Sequence, residues 1–129
     1  MPNATIEVKW RYTAAEEEAI IDAVHSAMVV GFKILEWDRT LRLVVHEPHR
    51  FPTPPGESDR YTLLDIDLIA GRSLAAKKAF YQAVVQNLSS LGIPATDVKI
   101  LLRESPLDNW GIRGGVPASE VDLGFKVDV

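Results

Sequence analysis

The sequence predicts an α+β fold in which duplicated β-α-β units form a four-stranded mixed sheet with two helices on one face. Segments in which polar and apolar residues alternate, as in strands, and segments with apolar residues at helical spacing occur in the order strand, helix, strand. This order occurs twice along the chain. The letters also repeat at a period of about 60 residues, since AIIDAVHSAM (19–28) matches AFYQAVVQNL (79–88), and RLVVHEP (42–48) matches KILLRESP (99–106). Two such units with right-handed crossovers pair into one sheet.

The first unit contains a strand, a helix and a second strand. Residues 3–9 alternate polar and apolar, which is typical of a half-buried strand. Thr13 and Glu16 have the spacing of a capping box, so we expect a helix to begin there. Gly31 is expected to end this helix or to follow it directly. Residues 40–46 form the second predicted strand.

The second unit repeats this order. Residues 61–69 alternate again, and Ser73 is placed to cap a helix over about 74–90. A fourth strand is predicted over 97–103. The glycine-rich tail, 107–129, ends in VDLGFKVDV, for which we expect a short hairpin or an edge strand.

The 129 residues are expected to form a single domain. Its pseudo-repeats span about 1–48 and 61–106. Residues 48–60 hold four prolines and one glycine and are predicted to be the connecting loop. The strand segments LRLVV (41–45) and KILLR (99–103) carry apolar residues on both sides, which indicates burial on both sheet faces. Oligomerisation is the simplest way to cover the face without helices.

The composition narrows the class of protein. The chain is 47% hydrophobic and 25% charged, with a net charge of -4, so no basic surface for nucleic acid is indicated. The absence of cysteine excludes disulfides, thiol catalysis and thiolate metal sites. No apolar stretch approaches the roughly 20 residues of a membrane span, and the start lacks the features of a signal peptide. We therefore expect a cytoplasmic protein, complete as given, without nucleic-acid or membrane partners.

Proline in second position and the duplicated unit resemble the tautomerase superfamily. The second half resembles single-unit members such as 4-oxalocrotonate tautomerase, and the whole chain resembles the fused members typified by malonate semialdehyde decarboxylase. The resemblance covers most of the chain and implies a tautomerase fold, a homotrimer with pockets between subunits and no cofactor. The matching stretches are Leu68–Ser73, Pro94–Ile100, Trp110–Ser119, Ala23–Met28, Asp38-Arg39, Val45–Glu47 and Asp108–Trp110.

Pro2 is the first candidate catalytic residue. Once Met1 is removed, Pro2 carries a secondary amine, and an α-amino group has a reference pKa of about 7.7–8.0 that burial or a nearby cation lowers. Such an amine is suited to act as a general base or to attack a carbonyl. If Met1 is retained, this nitrogen is an amide and cannot act as a base. The structural alternative is a proline that merely begins an edge strand.

Arg72 is the candidate substrate-binding cation. It lies in Gly71-Arg72-Ser73, between a predicted strand and a helix N-terminus, and arginine binds carboxylates in a bidentate manner. The resemblance implies that the arginine of this motif binds or polarises the substrate carboxylate. Decarboxylase-like members have a second arginine two positions earlier, where this chain has Ala70. A solvated surface arginine is the structural alternative.

Four further residues complete the predicted site. The resemblance implies that Asp38 supports proton or water chemistry beside Pro2, and that Trp110 lines the pocket. Ile112 and Arg113 share a glycine-bounded turn with Trp110, and Arg113 could supply a second cation. The structural alternatives are a turn-capping aspartate and a core or interface tryptophan.

The remaining polar candidates do not form a recognisable site. Arg11 and Arg39 are alternative cations. His25, His46 and His49 lack the spacing of a metal-binding set, so neither metal nor cofactor is expected.

The sequence thus predicts a keto-enol tautomerase that acts on a small keto acid, with Pro2, Asp38 and Arg72 as catalytic residues. Arg72, Trp110, Ile112 and Arg113 would contact the substrate. A malonate semialdehyde decarboxylase, hydratase or dehalogenase activity is the alternative within the same chemistry. A non-catalytic tautomerase-like protein that binds a ligand or assembles into oligomers is the alternative of another class.

Overall fold

The computed structural model describes residues 2–129 and confirms the predicted α+β architecture. Four strands form one mixed sheet in the order β2-β1-β3-β4, and two helices cover one of its faces. The central pair, β1 and β3, is antiparallel, whereas each outer strand is parallel to its neighbour. The elements are β1 (Asn3–Val8), α1 (Ala14–Phe32), β2 (Leu41–Val45), β3 (Thr62–Ile69), α2 (Leu74–Ser89), β4 (Val98–Ser105), β5 (Gly111–Ile112) and β6 (Val116–Pro117).

The helix starts lie where the capping pattern predicts them. The Thr13 side chain accepts a hydrogen bond from the Glu16 N–H, and the Glu16 carboxylate accepts one from the Thr13 N–H. Ser73 caps α2 by accepting from the Ala76 N–H. The predicted end of α1 is wrong by one or two residues, because the helix continues through Gly31 to Phe32. Lys33, whose φ of 58° is left-handed, is the C-cap.

The core lies between the helices and the sheet. Alternate residues of β1 and β3 point into it, and the two helices meet at Phe32 and Phe80, whose rings stack at 4.4 Å. Fully buried side chains of this kind contribute about 1.5–3 kcal/mol each by removal from water. The core therefore spans both repeats and makes them one unit.

The other side of the sheet carries the residues that alternate with the core positions. Arg103 bridges Asp65 and Asp67 on this side at 2.6 and 3.0 Å. Val44 and Leu101 are apolar and remain 38% and 47% exposed. We call this side of β1–β4 the open face.

The tail differs from the prediction. Its hairpin is formed by β5 and β6, where Ile112 pairs with Val116, and lies upstream of VDLGFKVDV. Residues 121–129 form no strand, although their half-buried and exposed positions alternate. They lie against both units instead. The Ser73 N–H donates to the Val129 carbonyl oxygen at 2.9 Å, and Gly124 lies near Leu35.

None of the helices within residues 2–129 combines the length and the apolar character that crossing a membrane requires.

Candidate active site

Pro2 is buried at the start of β1. The next residues fix its neighbours: Asn3 pairs with Asp67 of β3, and the Ala4 N–H donates to the Thr40 carbonyl oxygen at 3.1 Å. The start of β1 therefore lies between the end of β3 and the segment that enters β2. Met1 lies outside the described residues, so its predicted removal is not a structural observation.

Arg72 follows the end of β3 and is only 5% exposed. Its Nη1 and Nη2 donate to the carbonyl oxygens of Ile69 and Phe32 at 3.2 and 3.4 Å. Its guanidinium also lies over the Phe32 ring at 5.6 Å and near the Phe125 ring at 6.0 Å. A guanidinium has five N–H donors, so further N–H groups of Arg72 are available to bind a carboxylate.

Two carboxylates act on the charge of Arg72. Burial lowers the pKa of the Arg72 guanidinium, while the charges of Asp38 and Glu104 raise it. Asp38 is half-buried in the turn before β2, where its N–H donates to the Leu35 carbonyl oxygen at 3.0 Å. The fold therefore brings Asp38, from the first repeat, within electrostatic range of Arg72, from the second.

A cavity of about 190 Å³ lies beside Asp38. Two of the predicted residues, Ile112 and Arg113, contribute to its wall together with Asp38. Arg113 has a left-handed φ of 47°, which is uncommon outside glycine, and its Nη1 donates to the Asp122 carbonyl oxygen at 2.9 Å. The lining residues are Trp37, Asp38, Ile112, Arg113, Leu123 and Phe125.

Three of these lining residues were missed in the sequence. Trp37 directly precedes Asp38, and a tryptophan next to a candidate carboxylate was the available signal. The structure leaves this side chain 69% exposed. Leu123 and Phe125 lie in the tail, far along the chain from Asp38. Their alternation with polar residues was visible, but nothing local connects them to this cavity.

Trp110 is half-buried at the base of the hairpin. Its indole Nε1 donates to the Ser105 hydroxyl at 2.7 Å, and its carbonyl oxygen accepts from the Ala118 N–H at 2.8 Å. These contacts tie the hairpin to the end of β4. The role of Trp110 in substrate binding stays a prediction.

The alternative cations lie in ion pairs elsewhere. Arg11 follows the far end of β1 and pairs with Glu47 at 2.6 Å. Arg39 pairs with Asp22 of α1 at 2.7 Å. Arg72 is thus the arginine that this fold buries beside Asp38.

The histidines are also dispersed. His25 Nε2 contacts the Glu36 carbonyl oxygen at 2.8 Å, which makes that nitrogen the donor, and His46 contacts Glu7 at 2.9 Å. Within residues 2–129, no group of three or more His, Asp or Glu side chains is arranged to hold a metal ion.

The fold and this site define a class of protein with a fused tautomerase architecture. A family model described as tautomerase enzyme matches residues 38–113, and the chain belongs to this family. Over 57 residues it is 42% identical to a 2-hydroxymuconate tautomerase of Pseudomonas putida, covering 43% of this chain and 89% of that protein. Over 58 residues it is 36% identical to a probable tautomerase of Ralstonia nicotianae, covering 44% and 81%.

Solved structures match nearly the whole chain. A malonate semialdehyde decarboxylase, described with decarboxylase and hydratase activities, is 27% identical with a TM-score of 0.81 over 87% of this chain and 92% of that one. A fused 4-OT, described as a symmetric trimer, is 27% identical with a TM-score of 0.74 over 90% and 95%. A native fused 4-OT at 18% identity and a TM-score of 0.82, over 91% and 96%, shares the fold. The chain is therefore a fused member of the tautomerase superfamily.

Proposed function

We propose that the protein is a tautomerase that uses the Pro2 amine as general acid and base on a small keto acid. The observation that carries this proposal is that Pro2 is buried at the sheet edge where Arg72 and Asp38 also lie. A buried amine near a cation has a lowered pKa, which favours the neutral base at physiological pH.

The proposed reaction moves one proton. In ketonisation, the neutral Pro2 amine takes the proton of the enol hydroxyl as the carbonyl forms, and the resulting ammonium gives that proton to the carbon at the other end of the C=C bond. In the reverse direction, the neutral amine removes the proton from carbon and returns it to the carbonyl oxygen. Arg72 binds the substrate carboxylate, and Asp38 tunes the amine, since a carboxylate raises the pKa of a nearby amine. Ile112 and Arg113 line the wall of the pocket, with Trp110 at its edge.

The test is the ketonisation of phenylenolpyruvate, followed by ultraviolet absorbance. Intact-mass measurement first establishes that Met1 is absent. Pro2→Ala keeps a primary amine and should lower kcat/KM by about tenfold or more. One extra residue placed before Pro2 turns its nitrogen into an amide and should cost about 100-fold or more, the usual range for general acid–base catalysis. Equal rates in all three proteins would contradict the proposal and favour a non-catalytic binding protein.

Decarboxylation is the second candidate, supported by the likeness to malonate semialdehyde decarboxylase. Pro2 would act there as a cation, and Asp38 would activate water. Ala70 is exposed where decarboxylase-like relatives have a second arginine, which weighs against this activity. Measured release of carbon dioxide from malonate semialdehyde that disappears in Asp38→Asn would support it. A 3-haloacrylate tests hydration or dehalogenation in the same way.

We also propose a homotrimer in the cytoplasm. The half-exposed apolar residues of the open face and the likeness to a fused 4-OT described as a trimer support the assembly. The proposed partners are a small carboxylate substrate and two further copies of the chain, without a cofactor.

A further inference from the structure

The Glu104 carboxylate lies directly behind the turn that carries Arg72. β3 and β4 are parallel, so both strands end at the same edge of the sheet. Ser105 pairs with Ile69, and the Ala70 N–H continues this ladder by donating to the Ser105 carbonyl oxygen at 2.9 Å. Glu104 therefore lies beside the end of β3, just before the turn that contains Arg72.

Two donors on different elements converge on this carboxylate. Lys77, one turn into α2, donates its Nζ to Glu104 at 2.5 Å. The main-chain N–H of Gly71, at the start of the turn, makes a smaller contribution to the lowered pKa of the same side chain. The pair of Lys77 and Glu104 thus joins α2 to β4 across the turn that carries Arg72.

Gly71 has a backbone conformation that favours glycine. Its φ is 138°, and a Cβ there would lie 2.9 Å from the Val127 carbonyl oxygen, so the turn admits glycine alone. Glycine also leaves the widest choice of backbone conformations. The direction in which Arg72 leaves the turn therefore depends on the contacts that flank Gly71.

Glu104 can stay ionised near Arg72 without forming a direct ion pair with it. The hydrogen bond from Lys77, with smaller contributions from Gly71 and Arg72, outweighs burial and holds the pKa of Glu104 below its usual value. Lys77 compensates the negative charge. The Arg72 Nη atoms donate to main-chain carbonyls of Ile69 and Phe32.

We propose that Glu104 is a positioning residue: it fixes the Gly71 turn so that Arg72 presents its guanidinium to the substrate carboxylate. This inference rests on the proposed role of Arg72 in the tautomerase reaction. Glu104 itself touches no substrate, and its effect is confined to the carboxylate end of the ligand.

The first test compares an acid with its ester. Glu104→Ala should raise KM for phenylenolpyruvate by about tenfold, equivalent to one charge-assisted hydrogen bond, with kcat changed by less than about threefold. KM for the methyl ester should change by less than about twofold. Glu104→Gln keeps an oxygen that can accept from Gly71 and should recover most of the loss. Glu18→Ala, an exposed position on α1, removes the same charge and should leave both constants unchanged.

Equal losses for acid and ester, or a Gln variant as impaired as the Ala variant, would overturn the proposal, since a role in stability alone affects both substrates. Thermal unfolding of each variant verifies that it is folded at the assay temperature.

A second measurement needs no turnover. Titration calorimetry with 3-phenylpropionate and with its amide reports binding at the carboxylate site. Weaker binding of the acid to Glu104→Ala, with amide binding unchanged, supports the proposal even if the wild type fails to ketonise phenylenolpyruvate. Failure of that reaction alone contradicts the proposed function. Binding of the acid that is the same in wild type and Glu104→Ala contradicts the role of Glu104.

Discussion

At the residue scale, the two aspartates that precede the outer strands have diverged. Asp38 is half-buried before β2 and lines the cavity, whereas Asp97 before β4 is 2% exposed. Asp97 accepts from the Ser58 N–H at 2.9 Å and also from the Ser58 hydroxyl. The linker thus holds Asp97 in place, whereas Asp38 lies at the wall of the cavity.

Glu57 adds a pH-dependent contact to Asp97. Hydrogen bonding to Asp97, with burial and charge repulsion, raises the pKa of Glu57 above its ordinary value of 4.5. Burial would raise the pKa of Asp97, but hydrogen bonds from Ser58 and Glu57 outweigh it and hold that pKa below 3.8. The Asp97 contribution to stability is therefore lost as pH falls through its lowered pKa. The Glu57 contribution is present at acidic pH and is lost as pH rises through its raised pKa.

Glu57→Gln should therefore stabilise the protein at neutral pH. The amide can donate to Asp97 at every pH, whereas the ionised Glu57 repels it. The free energy of unfolding, measured by urea denaturation, should exceed that of the wild type at pH 7–8, with the difference shrinking towards pH 4. Asp59→Asn, an exposed neighbour, removes the same charge and serves as the control. A gain that persists unchanged at pH 4, or that Asp59→Asn reproduces, would refute this account.

At the scale of the elements, one close contact sets the distance between the helices. Gly31 of α1 lies against Phe80 of α2, so that a Cβ at Gly31 would lie 2.6 Å from the Phe80 Cβ and 2.7 Å from its main-chain N. The sequence prediction interpreted this glycine as a helix end. The structure places it inside the helix, where its lack of a side chain allows the backbones to approach.

Gly31→Ala should destabilise the protein despite improving helix propensity. Alanine gains about 1 kcal/mol over glycine inside a helix. Overpacking against main-chain atoms costs about 1–3 kcal/mol, and the α2 backbone cannot yield as a flexible side chain would. Urea denaturation should give a lower free energy of unfolding than in the wild type. Ser26→Ala, at an exposed site of the same helix, should be close to neutral or slightly stabilising, and equal effects at both sites would contradict the packing argument.

Element positions could be predicted where the signal is local. Thr13 and Ser73 start their helices because the cap is formed within three residues of the chain. The alternation of β1 and β3 reflects one buried face, which the sequence displays directly. Apolar and polar residues alternate in the same way beyond Val121, but this tail forms no strand. Strand formation also requires a neighbouring strand to pair with, and the sequence pattern does not predict which one.

At the scale of the whole molecule, the two repeats are related by an approximate twofold axis between β1 and β3. Asn3 pairs with Asp67, and Glu7 pairs with Leu63, so equivalent positions are offset by 60 residues. By this offset Thr62 corresponds to Pro2, and Tyr12 corresponds to Arg72. The second repeat therefore lacks the proline and the first repeat lacks the arginine, as expected for one kind of site per chain.

We expect three copies of the chain to associate through the open face. Sedimentation velocity of the wild type should give a species of three times the chain mass of 14.3 kDa. Leu101→Lys places a charge on the open face beside Asp65, which preserves the fold while opposing apolar contact between copies. Smaller species should therefore dominate for this variant.

The matched control is Val30→Lys. Val30 is 51% exposed on α1, on the helix side of the sheet, and its substitution should leave the assembly unchanged. A monomeric wild type, or equal dissociation in both variants, would contradict association through the open face.

The sequence by itself determined the duplicated architecture and the two capped helices, because each follows from local spacing or from a repeat. Only the tertiary structure decided that Phe125 lies near Arg72 and that Ser58 donates to Asp97. These contacts join residues more than 30 positions apart. Their formation depends on where parallel strands end and on the path of loops, which local periodicity does not encode.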